Sequence, residues 1–206
     1  MNRCFAFSVL LAFLCTAVVP SRGDDDFVPL FDGQSLDGWV GDERLWSVAD
    51  GMIVGTTDEV TIRRNTFLAT EKAYGNFVLR LQFRLRNGNS GVQVRSELFD
   101  DYVVKGYQAD IAEQRFMGIL YEEGRRGILQ DVDPEAVAPH VNQGEWNEYV
   151  ITVDGNRITQ VLNGHTTVDY TEESEDAPRE GIIALQLHVG PKMKIWFKDI
   201  ELKPLP

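Results

Sequence analysis

The sequence predicts an all-β protein, built as an antiparallel sandwich of two sheets. Short segments rich in β-branched and aromatic residues alternate apolar and polar side chains at every second position. Between them recur Asp-Gly and Asn-Gly pairs, which accept positive φ and therefore favour tight hairpin turns. The pairs are Asp32-Gly33, Asp37-Gly38, Asp50-Gly51, Asn87-Gly88, Asp154-Gly155 and Asn163-Gly164. No segment shows a sustained helical period, so the strands must supply the core.

The predicted strands follow these turns in order. Residues 46–48 and 52–54 flank Asp50-Gly51 as a hairpin, and residues 77–85 form a long half-buried strand. The inward side chains of that long strand are Phe77, Leu79, Leu81, Phe83 and Leu85. Later strands are predicted at 149–153, 157–162, 165–170, 182–189 and 193–202. Apolar parity changes across Lys198-Asp199, which predicts a β-bulge in the last strand.

The first 23 residues have the layout of a secretory signal peptide, with Arg3 followed by an apolar run too short to span a bilayer. An uncleaved anchor is the alternative. The remaining residues, 24–206, are predicted to form a single domain that is secreted or periplasmic. Cys4 and Cys15 both lie in the predicted signal, so the mature domain is expected to contain no disulfide and no thiolate site.

The chain is strongly acidic, with 32 Asp and Glu against 20 Lys and Arg, a formal net charge of −12. Nucleic acids and anionic membrane surfaces are bound through clustered cations. We therefore expect neither as a partner once the signal is removed. A neutral small molecule or oligosaccharide is compatible with this charge, and the sequence leaves the oligomeric state open.

Polar side chains form stripes on three of the predicted strands. Alternation places Gln93, Arg95 and Glu97 on one face of the first strand, Gln108 and Asp110 on the second, and Gln186 and His188 on the third. A Gly-bounded loop at 120–127 adds Tyr121, Glu122 and Arg126. Any antiparallel sheet can have a solvated polar face, and that reading is the alternative. Amides, guanidinium groups and paired acids instead favour a polyol ligand, because they match hydroxyl groups that lose water.

Several motifs, in register along residues 27–203, carry a family resemblance. Residues 30–39, Asn89-Ser90-Gly91 with Gln-x-Arg-Ser-Glu, Gly-Tyr-Gln-Ala-Asp-Ile, and Leu-Gln-Leu-His with residues 195–200 resemble the 3-keto-disaccharide hydrolase domain family. The resemblance implies a concanavalin A-like jelly roll and a role in carbohydrate breakdown. Many members carry Tyr-Glu-x-Gln-Ile where this chain has residues 107–111, so the acid here stands two positions later on the same face.

The activity implied by this resemblance is cleavage of 3-keto-glycosides. A ketone at carbon 3 acidifies the hydrogen at carbon 2, so a base can remove it and the enolate can expel the glycosidic oxygen, with water adding afterwards. The candidate catalytic residues are Glu97 or Asp110 as base, with Arg95 and His188 polarising the keto oxygen or protonating the leaving group. The candidate substrate-binding residues are Gln93, Gln108, Gln186, Tyr121, Glu122 and Arg126.

Two alternatives stay open. No cofactor is predicted, but Glu97, Asp110 and His188 could collect a divalent metal ion if their strands are neighbours. A non-catalytic carbohydrate-binding module is the alternative function, because jelly rolls host binding proteins as well as enzymes. The prevalence of acids and a histidine over exposed aromatic residues favours the enzyme.

Overall fold

The computed structural model describes residues 26–113 and 115–206. The predicted signal peptide lies outside the described residues. Within those two ranges, no helix has the length and apolar character needed to cross a bilayer. The strands are β1 (Val28–Pro29), β2 (Trp39–Val40), β3 (Trp46–Ala49), β4 (Met52–Thr56), β5 (Thr66–Tyr74), β6 (Phe77–Arg86), β7 (Asn89–Phe99), β8 (Val103–Ala112), β9 (Leu120–Glu123), β10 (Gly127–Gln130), β11 (Asn147–Asp154), β12 (Arg157–Leu162), β13 (His165–Thr171), β14 (Gly181–Leu187) and β15 (Lys194–Pro204). Helical structure is confined to α1 (Pro134–Val137) and the 3-10 turns Asp100–Tyr102 and Ala138–His140 in the described part of the chain.

The strands form two sheets in which every pairing is antiparallel. The eight-stranded sheet has the order β13-β12-β11-β6-β15-β4-β3, with β1 paired to β15. The seven-stranded sheet has the order β10-β9-β8-β7-β14-β5-β2. The predicted jelly-roll sandwich is confirmed, since strands distant in sequence, such as β7 and β14, are neighbours in the sheet.

Turn chemistry and alternation account for this local structure. At the β3–β4 turn Asp50 and Gly51 have φ of 52° and 75°, and at the β12–β13 turn Asn163 and Gly164 have 48° and 81°. Two consecutive positive φ values suit the right-handed twist of a tight hairpin. The predicted bulge at 198–199 is also confirmed, because Asp199 has a φ of 51° and the β15–β6 register shifts there.

The main core fills the space between the sheets. The five apolar side chains predicted to point inward from β6 are all buried in it. From the seven-stranded sheet, Tyr107, Ala109 and Ile111 of β8 point into the same core. Because strand side chains alternate, Gln108 and Asp110 must point the other way. We call this opposite side of the seven-stranded sheet the outer face.

The outer face also carries a small apolar cluster of its own. Phe67, Ala69, Val104 and Ala184 are buried there, with Val40, Leu98 and Ile182 packed against them. Strand register fixes their side, since Ala184 lies opposite Gln93, which in turn lies opposite Gln108. The outer face is therefore partly apolar and partly polar, and its two ends differ in character.

Candidate functional site

A row of hydrogen-bonded side chains crosses the outer face from β7 to β8. The Ser96 hydroxyl donates to Gln93 Oε1 at 2.7 Å, and Gln93 Nε2 donates to Gln108 Oε1 at 2.7 Å. Gln108 Nε2 donates in turn to Asp110 Oδ1 at 2.5 Å. Gly91 leaves the room for this row, because a Cβ atom at that position would lie 2.5 Å from the Gln108 side chain. The row fixes the orientation of each amide and ends at the Asp110 carboxyl.

Asp110 opens into a hollow of about 210 Å³, which we call the Asp110 hollow. Strands β7, β8, β9 and β10 contribute to it, as do the segment before β5, the β8–β9 connection and the segment after β14. Its lining is polar on one side and apolar on the other. The lining residues are Asn65, Asn89, Gln108, Asp110, Phe116, Ile119, Tyr121, Glu123, Ile128 and His188.

The Asp110 carboxyl is the group of this hollow best suited to proton transfer. Asp110 is 5% exposed, and this burial raises the pKa of its carboxyl from the ordinary value to about 8. The hydrogen bond from the Gln108 amide lowers this pKa, and the negative charge of Glu123 raises it further. A carboxyl with such a pKa can both accept and release a proton near neutral pH.

Glu123 stands beside Asp110 and is held by two amides. Its carboxylate accepts from Asn65 Nδ2 at 3.1 Å and from Gln186 Nε2 at 3.3 Å. The Asn65 side chain is itself fixed, because its Oδ1 accepts from the Val189 backbone N–H at 3.0 Å. Gln186 is fully buried, and its Oε1 finds no hydrogen-bond partner among the described residues. Gln186 therefore supports Glu123 from below the hollow.

His188 follows the end of β14 and reaches the hollow from the side. Its Nδ1 lies 2.6 Å from the Val189 carbonyl oxygen. A carbonyl oxygen can only accept, so Nδ1 carries a hydrogen and Nε2 of the neutral ring is left as an acceptor. Nε2 is therefore the ring nitrogen that can accept a hydrogen bond from a ligand.

Apolar side chains form the opposite wall. Tyr121 and Ile128 are cross-strand neighbours on β9 and β10, and Phe116 approaches from the β8–β9 connection. Phe116 and Ile128 are 44% and 42% exposed, which is unusual for large apolar side chains in this molecule. Exposed apolar groups beside fixed polar groups suit a ligand that has both a C–H face and hydroxyl groups.

The structure corrects the predicted face of Arg95 and Glu97. Arg95 has a φ of 47°, and the β7–β8 register shifts between Val94 and Glu97, so a bulge reverses the parity of β7. The Arg95 guanidinium is buried and donates to the Gly155 carbonyl at 2.7 Å and to Asn76 Oδ1 at 2.9 Å. The expectation that both residues join Gln93 on one face is wrong, and Ser96 takes that place.

Glu97 lies away from the Asp110 hollow. Its side chain is 63% exposed, and its carboxylate lies 3.8 Å from the Arg125 guanidinium. The alternative ligand set of Glu97, Asp110 and His188 is therefore not brought together. Among residues 26–113 and 115–206, no group of three His, Cys, Asp or Glu side chains is placed to hold a metal ion.

Glu122 and Arg126 also face away from the hollow, because the predicted loop begins as strand β9. Alternation turns Tyr121 and Glu123 outward and buries Glu122. Arg126 forms an ion pair with Glu122 and a second one with Glu172 at 2.5 Å. Tyr107 donates to Glu172 at 2.7 Å, and the Arg126 hydrogen bonds lower the Glu172 pKa to about 2. This network fixes the β9–β10 turn rather than a ligand.

Of the predicted site residues, the structure brings Gln108, Asp110, Tyr121 and His188 into one hollow and places Gln93 and Gln186 directly behind it. Sequence reasoning missed Glu123, Asn65 and Asn89. Glu123 was detectable, since it stands two positions after Tyr121 and shares its face on a strand. Asn89 was detectable for the same reason, since it stands four positions before Gln93 on β7 and shares its face. Asn65 precedes β5 and had no periodic signal.

The comparisons with known proteins agree with this architecture. The 3-keto-alpha-glucoside-1,2-lyase-like domain family matches residues 26–203. A candidate glycosyl hydrolase from Parabacteroides distasonis superposes with a TM-score of 0.67 at 23% identity, covering 88% of this chain and 95% of the other. A second structure from that organism, with the same description, gives 0.65 at 25% identity over 87% and 99%.

More distant structures share the fold alone. The carbohydrate-binding module CBM66 from Bacillus subtilis has a TM-score of 0.61 at 14% identity, over 81% of this chain and 95% of that one. A comparison with curated proteins gave no match. The family match covers most of the chain, ends one residue before the end of β15 and includes the whole Asp110 hollow. The chain belongs to the 3-keto-alpha-glucoside-1,2-lyase-like domain family.

Proposed function

We propose that the protein is a carbohydrate-active enzyme that cleaves 3-keto-glycosides, with Asp110 as the general base. The observation that carries this proposal is the buried Asp110 carboxyl, whose pKa of about 8 lies close to neutral pH. The family match supports the class of substrate. An elimination at a 3-keto sugar needs one base of this strength close to the carbon 2 hydrogen.

The reaction begins when the Asp110 carboxylate takes the hydrogen from carbon 2. The electron pair of the C–H bond forms the enolate, which then expels the glycosidic oxygen from carbon 1 with its bonding electrons. Addition of water across the resulting double bond completes a net hydrolysis. The Gln108 amide, 2.5 Å from Asp110 Oδ1, keeps the carboxylate oriented before and after the transfer.

The roles of the other polar groups of the hollow follow from the protons and hydrogen bonds that each can donate or accept. His188 can protonate the departing oxygen through Nε2 when the ring carries a second proton. The amides of Asn65 and Asn89 can donate to the keto oxygen and to hydroxyls, where negative charge develops on the enolate. Glu123 accepts from hydroxyls, because its carboxylate is already held on the opposite side by two amides.

The size and shape of the hollow favour a single ring. Its volume of about 210 Å³ is below the range of roughly 300–1,000 Å³ of pockets that enclose drug-sized ligands. Tyr121, Phe116 and Ile128 can pack against the C–H face of one pyranose, while the amides meet its hydroxyls. The reacting sugar is therefore expected to enter the hollow and leave its aglycone outside.

Non-catalytic carbohydrate binding is the second candidate, and the exposed Phe116 beside Tyr121 favours it. The tryptophans do not add to such a platform. Trp39 and Trp46 are buried, while Trp146 and Trp196 stack on the Arg84 guanidinium at 5.3 and 4.3 Å. A buried carboxyl with a raised pKa has no use in passive binding, so we place the enzyme first.

The decisive experiment compares Asp110→Asn with Glu97→Gln on a 3-keto-glucoside. Asp110→Asn is expected to lower kcat/KM by about two to four powers of ten, because an amide cannot act as the base. Glu97→Gln is the matched control and should retain wild-type turnover of a short substrate such as methyl 3-keto-glucoside, since Glu97 is not part of the Asp110 hollow. Near-native turnover by Asp110→Asn would refute the assignment. Binding of the sugar by wild type without turnover would support the binding module.

A further inference from the structure

A second hollow, of about 680 Å³, opens at the other end of β7. Val40, Leu98 and Ile182 contribute apolar side chains to its lining, and Glu71, Glu97 and Arg125 are among the charged ones. We call it the distal hollow. It is larger than the Asp110 hollow, and the proposed chemistry does not use it.

The distal hollow lies on the same outer face as Asp110. Leu98 is opposite Val104, and Ile182 is opposite Ser96, so register places them on the side of the Gln93 and Gln108 amides. Asp110 is opposite Gly91, five positions from Ser96 along β7. At about 3.3 Å per residue, the two hollows are separated by about 16 Å.

The row of hydrogen bonds on the outer face runs between the two hollows. Ser96 lines the distal hollow and donates to Gln93, while Gln108 lines the Asp110 hollow. Gln93 joins them by donating to Gln108 Oε1. The sheet therefore presents two concave sites on one side, connected by polar groups that are already ordered.

The lining of the distal hollow defines the class of its ligand. Val40, Leu98 and Ile182 can pack against the C–H face of a ring. The carboxylates of the lining can accept hydrogen bonds from the hydroxyl groups of a ligand, and Arg125 can donate to the oxygens of those hydroxyl groups. Three carboxylates, Glu71, Glu97 and Glu180, line the hollow against two guanidinium groups, those of Arg95 and Arg125. The Arg95 guanidinium already donates to the Gly155 carbonyl and to Asn76, so an anionic ligand such as a uronic acid is disfavoured.

We propose that the distal hollow binds the non-reacting end of an extended substrate, as a neutral, hydroxylated ring such as a further hexose. This inference rests on the proposed function, because it takes the Asp110 hollow as the place of the keto sugar. It predicts a preference for extended neutral 3-keto-glycosides over short ones.

Binding can be tested without catalysis by methyl NMR. Maltotriose, a neutral linear trisaccharide, is expected to shift the methyl signals of Val40, Leu98 and Ile182, and glucuronate is not. The Leu98→Trp variant should abolish the shifts of the Val40 and Ile182 methyls by filling the hollow. Val28→Trp is the matched control, because Val28 is 51% exposed on β1 and outside both hollows. If maltotriose shifts none of these methyls, or if glucuronate shifts them equally, the inference is overturned.

Kinetics separate this inference from the proposed function. Leu98→Trp is expected to lower kcat/KM about tenfold for a 3-keto trisaccharide and to leave it unchanged for methyl 3-keto-glucoside. Equal effects on both substrates, or none on either, would refute the distal site while the enzyme assignment stands. If wild type turns over neither substrate, the proposed function fails, and the methyl shifts alone decide whether the distal hollow binds sugar.

Discussion

Asp110 is a buried carboxyl that keeps one strong hydrogen-bond donor, the Gln108 amide, and one nearby negative charge, Glu123. Burial is the larger influence and raises its pKa to about 8. The same side chain on an exposed strand would be ionised throughout the neutral range and would be a weak base. The environment of this residue, more than its identity, makes it a candidate for catalysis.

The activity is therefore expected to depend on pH through Asp110. Only the ionised carboxylate can act as base, so ionisation of Asp110 should give kcat/KM a rising limb below about pH 8. A pH–rate profile from pH 5 to 9.5 measures this limb, with Glu97→Gln as a control that should show the same profile. A plateau already reached at pH 5 would contradict the assignment.

The raised pKa also has a consequence for stability. The folded protein retains the Asp110 proton at pH values where the unfolded chain, with an ordinary carboxyl pKa, has released it. The contribution of Asp110 to the free energy of unfolding is thus fully present below about pH 4, and it is lost as the pH rises toward 8. Asp110→Asn should gain stability over wild type by at least about 1 kcal/mol at pH 8 and little at pH 4. Urea unfolding at the two pH values checks this, and an equal difference at both would contradict it.

At the scale of the element, strand β7 determines which side chains reach the outer face. Its bulge turns Arg95 toward Asn76 and Gly155 and leaves Ser96 at the start of the amide row. Gly91, on the same strand, leaves space for Gln108. One strand thus supplies the support for Asp110 on β8.

Gly91→Ala tests this support. The added Cβ would lie 2.5 Å from the Gln108 side chain, so the amide must leave Asp110. Loss of a hydrogen bond to the carboxylate should move the rising limb of the pH–rate profile to higher pH and lower kcat/KM at pH 7 about tenfold. Gly75→Ala is the control, because its nearest neighbour would be the Arg179 carbonyl oxygen at 3.9 Å. An unchanged profile in Gly91→Ala would show that the amide row has no influence on Asp110.

Arg95 is expected to be a stability residue and not a catalytic one. Its buried guanidinium donates to Asn76 and Gly155, so Arg95→Met removes two hydrogen bonds from a charged donor, although each acceptor keeps a second donor, the Gly155 N–H and Arg179 respectively. The free energy of unfolding should fall by about 1–3 kcal/mol, with kcat/KM within about twofold of wild type. Arg157→Met, which removes an exposed ion pair with Asp169, should cost less than about 1 kcal/mol. A large loss of turnover in folded Arg95→Met would return Arg95 to the site.

At the scale of the whole molecule, one core between two sheets joins strands from the whole described sequence. We expect residues 24–206 to unfold as a single cooperative unit, because neither sheet can bury its inner face alone. Urea unfolding followed by tryptophan fluorescence and by far-UV circular dichroism should give coincident transitions. Two separated transitions would contradict the single domain.

The fold was largely predictable from the sequence, and the site only in part. Alternation identified β6 and the stripe of Gln108 and Asp110, and paired turn residues marked the hairpins at Asp50 and Asn163. The bulge at Arg95 escaped because Arg95, Ser96 and Glu97 are three consecutive polar residues, so polarity alone does not show on which of them the strand changes face. That bulge reversed the assignment of Arg95 and Glu97.

Long-range placement was the other limit. Asn65 has no periodic pattern, and its role depends on its contacts with Glu123 and the Val189 backbone, which a loop preceding β5 happens to reach. Glu122 and Arg126 have the chemistry of site residues, but strand formation at β9 turned Glu122 inward. A shift of one residue along a strand moves a side chain from one face of the sheet to the other, and composition cannot detect such a shift.

The amide row has a fixed sense. Gln108 presents its NH₂ group to Asp110 and its oxygen to Gln93, and Gln93 presents its own oxygen to Ser96. Once Asp110 is ionised its carboxylate offers no hydrogen, so this is the orientation of Gln108 that can hydrogen-bond to it. No single carboxamide can rotate alone without setting oxygen against oxygen. The four side chains thus behave as one unit whose polarity is dictated from its acidic end.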